Sequence, residues 1–152
     1  MAFQKLSDPL KETQMNRRYL LKLAMIFLSP RLALKAADQA DELKKLKGKW
    51  TSKDPQGGEA TWTFDGDKLD IQAGARAYKI VVKLDPEAKP HKTIEMKVTD
   101  DSPNAKNFSG PGIYKFEADD KIVVCFGTAE RPSEFKSKED FSAIMFELNR
   151  KK

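Results

Sequence analysis

The sequence predicts an all-β protein: eight antiparallel strands closed in up-and-down order into a barrel, preceded by an N-terminal helix and a signal-like segment. Three observations predict it. Apolar and polar residues alternate with a period of two in segment after segment between Trp50 and Phe146, as half-buried strands require. Most of these segments follow one another through short turn-forming stretches, which makes sequential neighbours antiparallel. A sheet of that many strands exposes two edges unless it closes, so a barrel is favoured over the alternative, a two-sheet sandwich.

The chain of 152 residues is long enough for one domain with a sizeable core plus a tail, and nine Phe are available to fill the interior. The net charge of +5 is unevenly placed. Residues 1–36 hold Lys5, Lys11, Arg17, Arg18, Lys22, Arg31 and Lys35 against Asp8 and Glu12, so this stretch carries the whole excess and the remainder is neutral. In that remainder cations and anions are interspersed, for example Lys79 and Lys83 with Glu95 and Lys97, so no single-sign stripe and no nucleic-acid partner is expected.

Residues 15–36 read as an export signal. Arg17-Arg18 form a positive start, Leu20 to Leu28 is apolar apart from Lys22, and small residues follow at Ala33, Ala36 and Ala37. Asn16 to Lys22 is similar to the twin-arginine export signature, and Met15 would then be the initiator. The competing reading is an amphipathic cytosolic helix, supported by Arg31 and Lys35 near the cleavage position. The uncharged run Leu23 to Pro30 falls short of the about 20 apolar residues that span a bilayer, so no transmembrane span is expected. The domains are therefore residues 1–36, extension and signal, and residues 37–152, barrel with a short leading helix.

Ala36 to Lys47 combines strong helix formers with early acids and late lysines, and places Leu43 and Leu46 on one face. Gly48 ends it. Strands are expected at about 49–53, 59–65, 68–73, 76–84, 92–99, 112–118, 121–127 and 142–150. The second and third form a hairpin whose two-residue loop at Asp65-Gly66 would pair Trp62 with Leu69 and Ala60 with Ile71. Asp119-Asp120 is a tight turn, and Gly57-Gly58 and Gly110-Pro111-Gly112 also read as turns.

Five islands carry a family resemblance: Leu46 to Trp50 (LKGKW), Trp62 to Leu69 (WTFDGDKL), Val82 to Pro90 (VKLDPEAKP), Gly112-Ile113-Tyr114 with Cys125, and Arg131 to Phe135 (RPSEF). Over residues 46–150 the set resembles a family of small uncharacterised domains abundant in planctomycete bacteria. Its members carry an LQGTW-like start, an FTFDGDKL-like hairpin, a KLDPTKKPK-like strand end and an RPTEF-like loop. Lys47, Lys49 and Ser133 depart from that pattern. The resemblance implies a lipocalin-like barrel, often exported, and no catalytic residues. Gly48 and Trp50, with Arg150 at the end of the last strand, are also similar to the lipocalin arrangement in which a Trp closes the barrel floor beneath an Arg.

Chemistry is sparse. The single histidine, His91, lies between Pro90 and Lys92 and is expected in solvent, and Cys125 in an apolar run reads as a buried, inert thiol. One cysteine also excludes an intramolecular disulfide and a multi-cysteine zinc site. Asp100-Asp101 and Asp119-Asp120 match no calcium-loop spacing. No enzyme, cofactor or metal is expected. Arg131 and Glu134 read as a clamp holding a long loop, with ligand contact as the alternative. Two functions stay open: a module binding a small apolar molecule among Trp62, Tyr78, Ile80, Met96, Tyr114, Phe116, Ile144 and Phe146, or a structural or protein-interaction domain whose interior these side chains fill.

Overall fold

In the computed structural model the described residues are 30–53, 57–100 and 108–152. A helix, α1 (Pro30–Leu46), leads into β1 (Gly48–Lys53), β2 (Glu59–Asp65), β3 (Lys68–Ala73), β4 (Arg76–Asp85), β5 (Lys92–Val98), β6 (Ser109–Ala118), β7 (Lys121–Gly127) and β8 (Ala143–Arg150). Each strand pairs antiparallel with the next, and β1 pairs with β8 through Trp50 opposite Arg150 and Thr51 opposite Asn149. That last ladder closes the barrel and leaves no second sheet, so the sandwich is not formed.

Three local expectations are corrected. The helix begins at Pro30 instead of Ala36. A proline costs nothing in the first turn, where its missing N–H would have no intrahelical partner. Residues 30–35, read as the tail of the signal, are therefore helical, while residues 1–29 lie outside the described residues.

The β2–β3 loop is Gly66-Asp67, one residue later than expected, and the register is Phe64 opposite Leu69 and Trp62 opposite Ile71. Gly66 has φ +63°, and Asp67 does not share the positive φ. A glycine first in the two-residue loop is what a type II′ turn requires. Pairing shifts by two residues, so every side chain keeps its face.

The third correction concerns Gly110-Pro111-Gly112, which lies inside β6. A Cβ on Gly112 would lie 2.6 Å from Phe126 Cδ1 and 2.9 Å from the Cys125 carbonyl oxygen. Glycine here makes room for a ring across the ladder, a use of glycine in strands distinct from turning.

Alternate side chains of all eight strands meet inside. Trp50, Leu69, Ile122 and Leu148 are fully buried, and Trp62 is stacked on Phe126 at 6.4 Å and edge-on to Phe146 at 5.4 Å. A smaller apolar cluster sits outside the wall. The β7–β8 loop, residues 128–142, folds back so that Phe135 packs with Met145 against Ile113, Cys125 and Ala143.

Candidate functional site

The two ends of the barrel are built differently. One end collects α1, the turns at 66–67 and 119–120, the loop 86–91 and Arg150. Leu43 and Leu46 of α1 join the interior cluster there, and Lys35 reaches Asp85 at 3.6 Å. The last carbonyls of a helix have no intrahelical donor, and Arg150 and Trp50 supply it. Arg150 Nη2 donates to Lys45 O at 2.6 Å, Nη1 to Lys47 O at 2.8 Å, and Trp50 Nε1 to Leu46 O at 2.7 Å. The guanidinium lies 4.1 Å from the Trp50 ring centroid. Gly48 has φ +122° and a Cβ there would meet Arg150 Nη1 at 3.2 Å, so Gly48 both turns the chain and admits the arginine. Of the three residues singled out as floor closure, Arg150 thus stacks on Trp50 and lies against Gly48.

Beside them sits a buried polar group. Glu42 of α1 is 5% exposed, and it accepts from Tyr114 Oη at 3.0 Å and from Lys92 Nζ at 2.9 Å, with Lys45 Nζ at 3.3 Å. Burial pushes the Glu42 carboxyl up, but the hydrogen bonds from Lys92, Tyr114 and Lys45 outweigh it and hold the group below its ordinary value. Burial, then the charge and hydrogen bond of Glu42, push the Tyr114 phenol far above its own. A groove of ≈ 320 Å³ opens next to this group, lined by Lys45, Lys92, Phe116, Asp119 and Arg150. Sequence reasoning passed over Glu42 and Lys92. The available signal was that Glu42 stands four residues before Leu46, on the helix face that carries the apolar residues.

At the far end the inward side chains are less covered. Ile71, Ala73, Tyr78, Ile144 and Phe146 are only half-buried although register turns them inward, whereas Ala60, Val98 and Phe126 nearby are buried. Phe108 and Phe141 stand at this end 41% and 58% exposed. Of the proposed lining residues, Trp62, Ile80, Met96 and Tyr114 are buried, and Phe116 is half-buried toward the helix end. The eight therefore share the interior without forming one continuous lining.

Arg131 does not pair with Glu134. Its Nη2 donates to Glu95 Oε1 of β5 at 2.8 Å, tying the β7–β8 loop to the barrel wall. The loop also borders an open pocket of ≈ 440 Å³ whose lining includes Thr128, Glu130, Arg131, Pro132, Glu134 and Lys138. His91, expected in solvent, is half-buried with its ring 5.1 Å from Phe135, because the loop reaches down the wall to the β4–β5 connection. Cys125 is fully buried beneath the same loop, and burial pushes its thiol up.

Among the described residues no group of three His, Cys, Asp or Glu is placed to hold a metal ion, and no helix is long and apolar enough to cross a membrane. Comparison of the chain with family models, curated proteins and solved structures finds no match.

Proposed function

We propose that the barrel is an exported, lipocalin-like, non-catalytic module that takes up a small apolar molecule through the end opposite α1. One observation carries the reading: Ile71, Tyr78, Ile144 and Phe146 point inward yet remain half-exposed. Apolar side chains on the inner face of a closed barrel keep contact with solvent where the end is left uncapped, and an apolar mouth of that kind is where a ligand gains from burial. At the helix end Trp50 and Arg150 close the floor, and the groove beside them is lined by the charged Lys45, Lys92, Asp119 and Arg150 together with Phe116. Phe108 and Phe141, both exposed, lie in the β5–β6 and β7–β8 connections at that end.

Export rests on the signal-like residues 15–36. Cleavage between Ala36 and Ala40 would shorten α1 but retain Glu42, Leu43 and Leu46, the side chains that attach it to the barrel. The N-terminus of protein recovered outside the source cells checks this reading. Intact residues 16–35 on protein found only in the cytoplasm would contradict it.

The competing reading, a filled structural or interaction domain, has one observation in its favour: the rings of Trp62, Phe126 and Phe146 pack on one another inside the barrel toward the end opposite α1. Native mass spectrometry of protein from its own host, with titration by an apolar fluorophore, separates the two. A binding module carries or takes up one apolar molecule, and Ile144→Arg abolishes uptake without unfolding the protein. Absence of any bound mass, with no saturable uptake, favours the filled domain.

A further inference from the structure

Strand register brings together lysines that the linear sequence separates. On the outer face of the barrel Lys68 of β3 stands opposite Val81 of β4, and Val81 stands opposite Lys97 of β5. Lys79 and Lys83 flank Val81 along β4 on the same outward face. All four lysines are exposed, and Val81, at 38%, is among the few large apolar residues left exposed in the described chain. None of the four lysines forms an ion pair with a described residue, unlike Lys47, Lys115 and Lys121, which do.

Of the acids on this face, Glu95 and Asp85 are engaged from other directions. Glu95, opposite Lys83, accepts from Arg131 of the β7–β8 loop at 2.8 Å. Asp85 is met by Lys35 of α1. Asp100 accepts the backbone N–H of Lys79 at 2.9 Å, and Asp70 stands opposite Lys79 at the patch edge. Arg131 thus offsets Glu95, Lys35 offsets Asp85 only while residues 1–36 are retained, Asp70 and Asp100 counter Lys79 at the edge, and the row Lys68–Val81–Lys97 across β3, β4 and β5 holds no acid.

We propose that this outer face of β3, β4 and β5 docks onto an anionic lipid bilayer, with Val81 at the centre of contact. A sheet wall presents its cations in one shallow surface, and each lysine held at an anionic membrane strengthens binding by about fivefold. The aliphatic centre suits the boundary between headgroups and acyl chains. A face without an aromatic side chain lacks the stacking platform on which single-stranded nucleic acid binding relies. The patch lies on the outside of the wall, so this docking is independent of whether the interior holds a ligand.

The test is co-sedimentation of the full chain with vesicles of phosphatidylcholine alone and of phosphatidylcholine with phosphatidylserine, at low and high salt. Binding is expected only to the anionic vesicles, weakening steeply with salt. Combined replacement of Lys68, Lys79, Lys83 and Lys97 by Gln should reduce it by roughly a hundredfold or more, with the thermal midpoint unchanged because all four side chains face solvent. The single change Val81→Asp should also weaken binding, and it checks the patch should the fourfold variant fold poorly. Undiminished binding by both variants would overturn the proposal, since the basic residues of 1–36 or the terminal Arg150-Lys151-Lys152 would then be responsible. Equal binding to neutral vesicles, no vesicle binding at all, or patch-dependent binding of DNA in place of vesicles would overturn it as well.

Discussion

The guanidinium of Arg150 lies 4.1 Å above the indole of Trp50 while its N–H groups close the carbonyls of Lys45 and Lys47 at the end of α1. One contact thereby joins the first strand, the last strand and the helix. Trp50 is completely buried, so Trp50→Ala should destabilise the protein by about 3–5 kcal/mol through the cavity it leaves. Arg150→Met keeps the stem but abandons carbonyls at the helix end, with an expected cost of about 1–3 kcal/mol. Denaturant melts of both variants check the ranking.

Glu42 predicts an acid limb of stability. Its carboxyl sits below the ordinary value, so the stabilisation from the ionised group is complete above the unfolded value of 4.5 and is lost as pH falls through the lower folded value. Glu42→Gln should therefore flatten the loss of stability below about pH 4.5. Stability measured across that range in both proteins tests this, and parallel curves would show that Glu42 contributes nothing to the limb.

Tyr114 predicts the opposite limb. Its phenol is raised, so its contribution is complete below the ordinary value near 10.0 and is lost as pH rises beyond it. Phenolate absorbance should show one tyrosine that ionises only as the barrel unfolds, and Tyr114→Phe should remove that late step.

Cys125 should react slowly with thiol reagents in the folded protein, because Phe135 and the β7–β8 loop cover it. Phe135→Ala should accelerate the reaction. Gly127→Ala should do so more strongly, since a Cβ there would collide with the Glu130 carbonyl oxygen and the loop must move. Reaction rates under native conditions provide the comparison.

Gly66 tests the hairpin turn. Nothing lies within 4 Å of a Cβ built there, so Gly66→Ala carries only the conformational penalty of a residue with φ +63°. An expected loss of about 1 kcal/mol follows from that strain alone, and Asp67→Ala should lose less. Reversal of this order would place the glycine second in the turn.

Alternation along single strands was legible without coordinates. The inward set, from Trp62 to Phe146, and the order of the eight strands follow from period-two burial and short connections, which are local properties of the chain. The Trp50–Arg150 contact was legible only through a resemblance, because nothing local in the chain links the first strand to the last.

What tertiary structure decided is everything that depends on register and on loops folding back. Choice of turn type moved the β2–β3 pairing by two residues at no cost to its faces. Closure placed Glu42 beneath Tyr114 and Lys92, which are distant in sequence and meet only because α1 lies over one end. The β7–β8 loop sent Arg131 to Glu95 in place of Glu134. Cross-strand alignment set Lys68 and Lys97 on either side of Val81. The linear order shows charges interspersed along the chain, but electrostatics acts across the sheet, where neighbours are chosen by hydrogen-bond register and not by sequence.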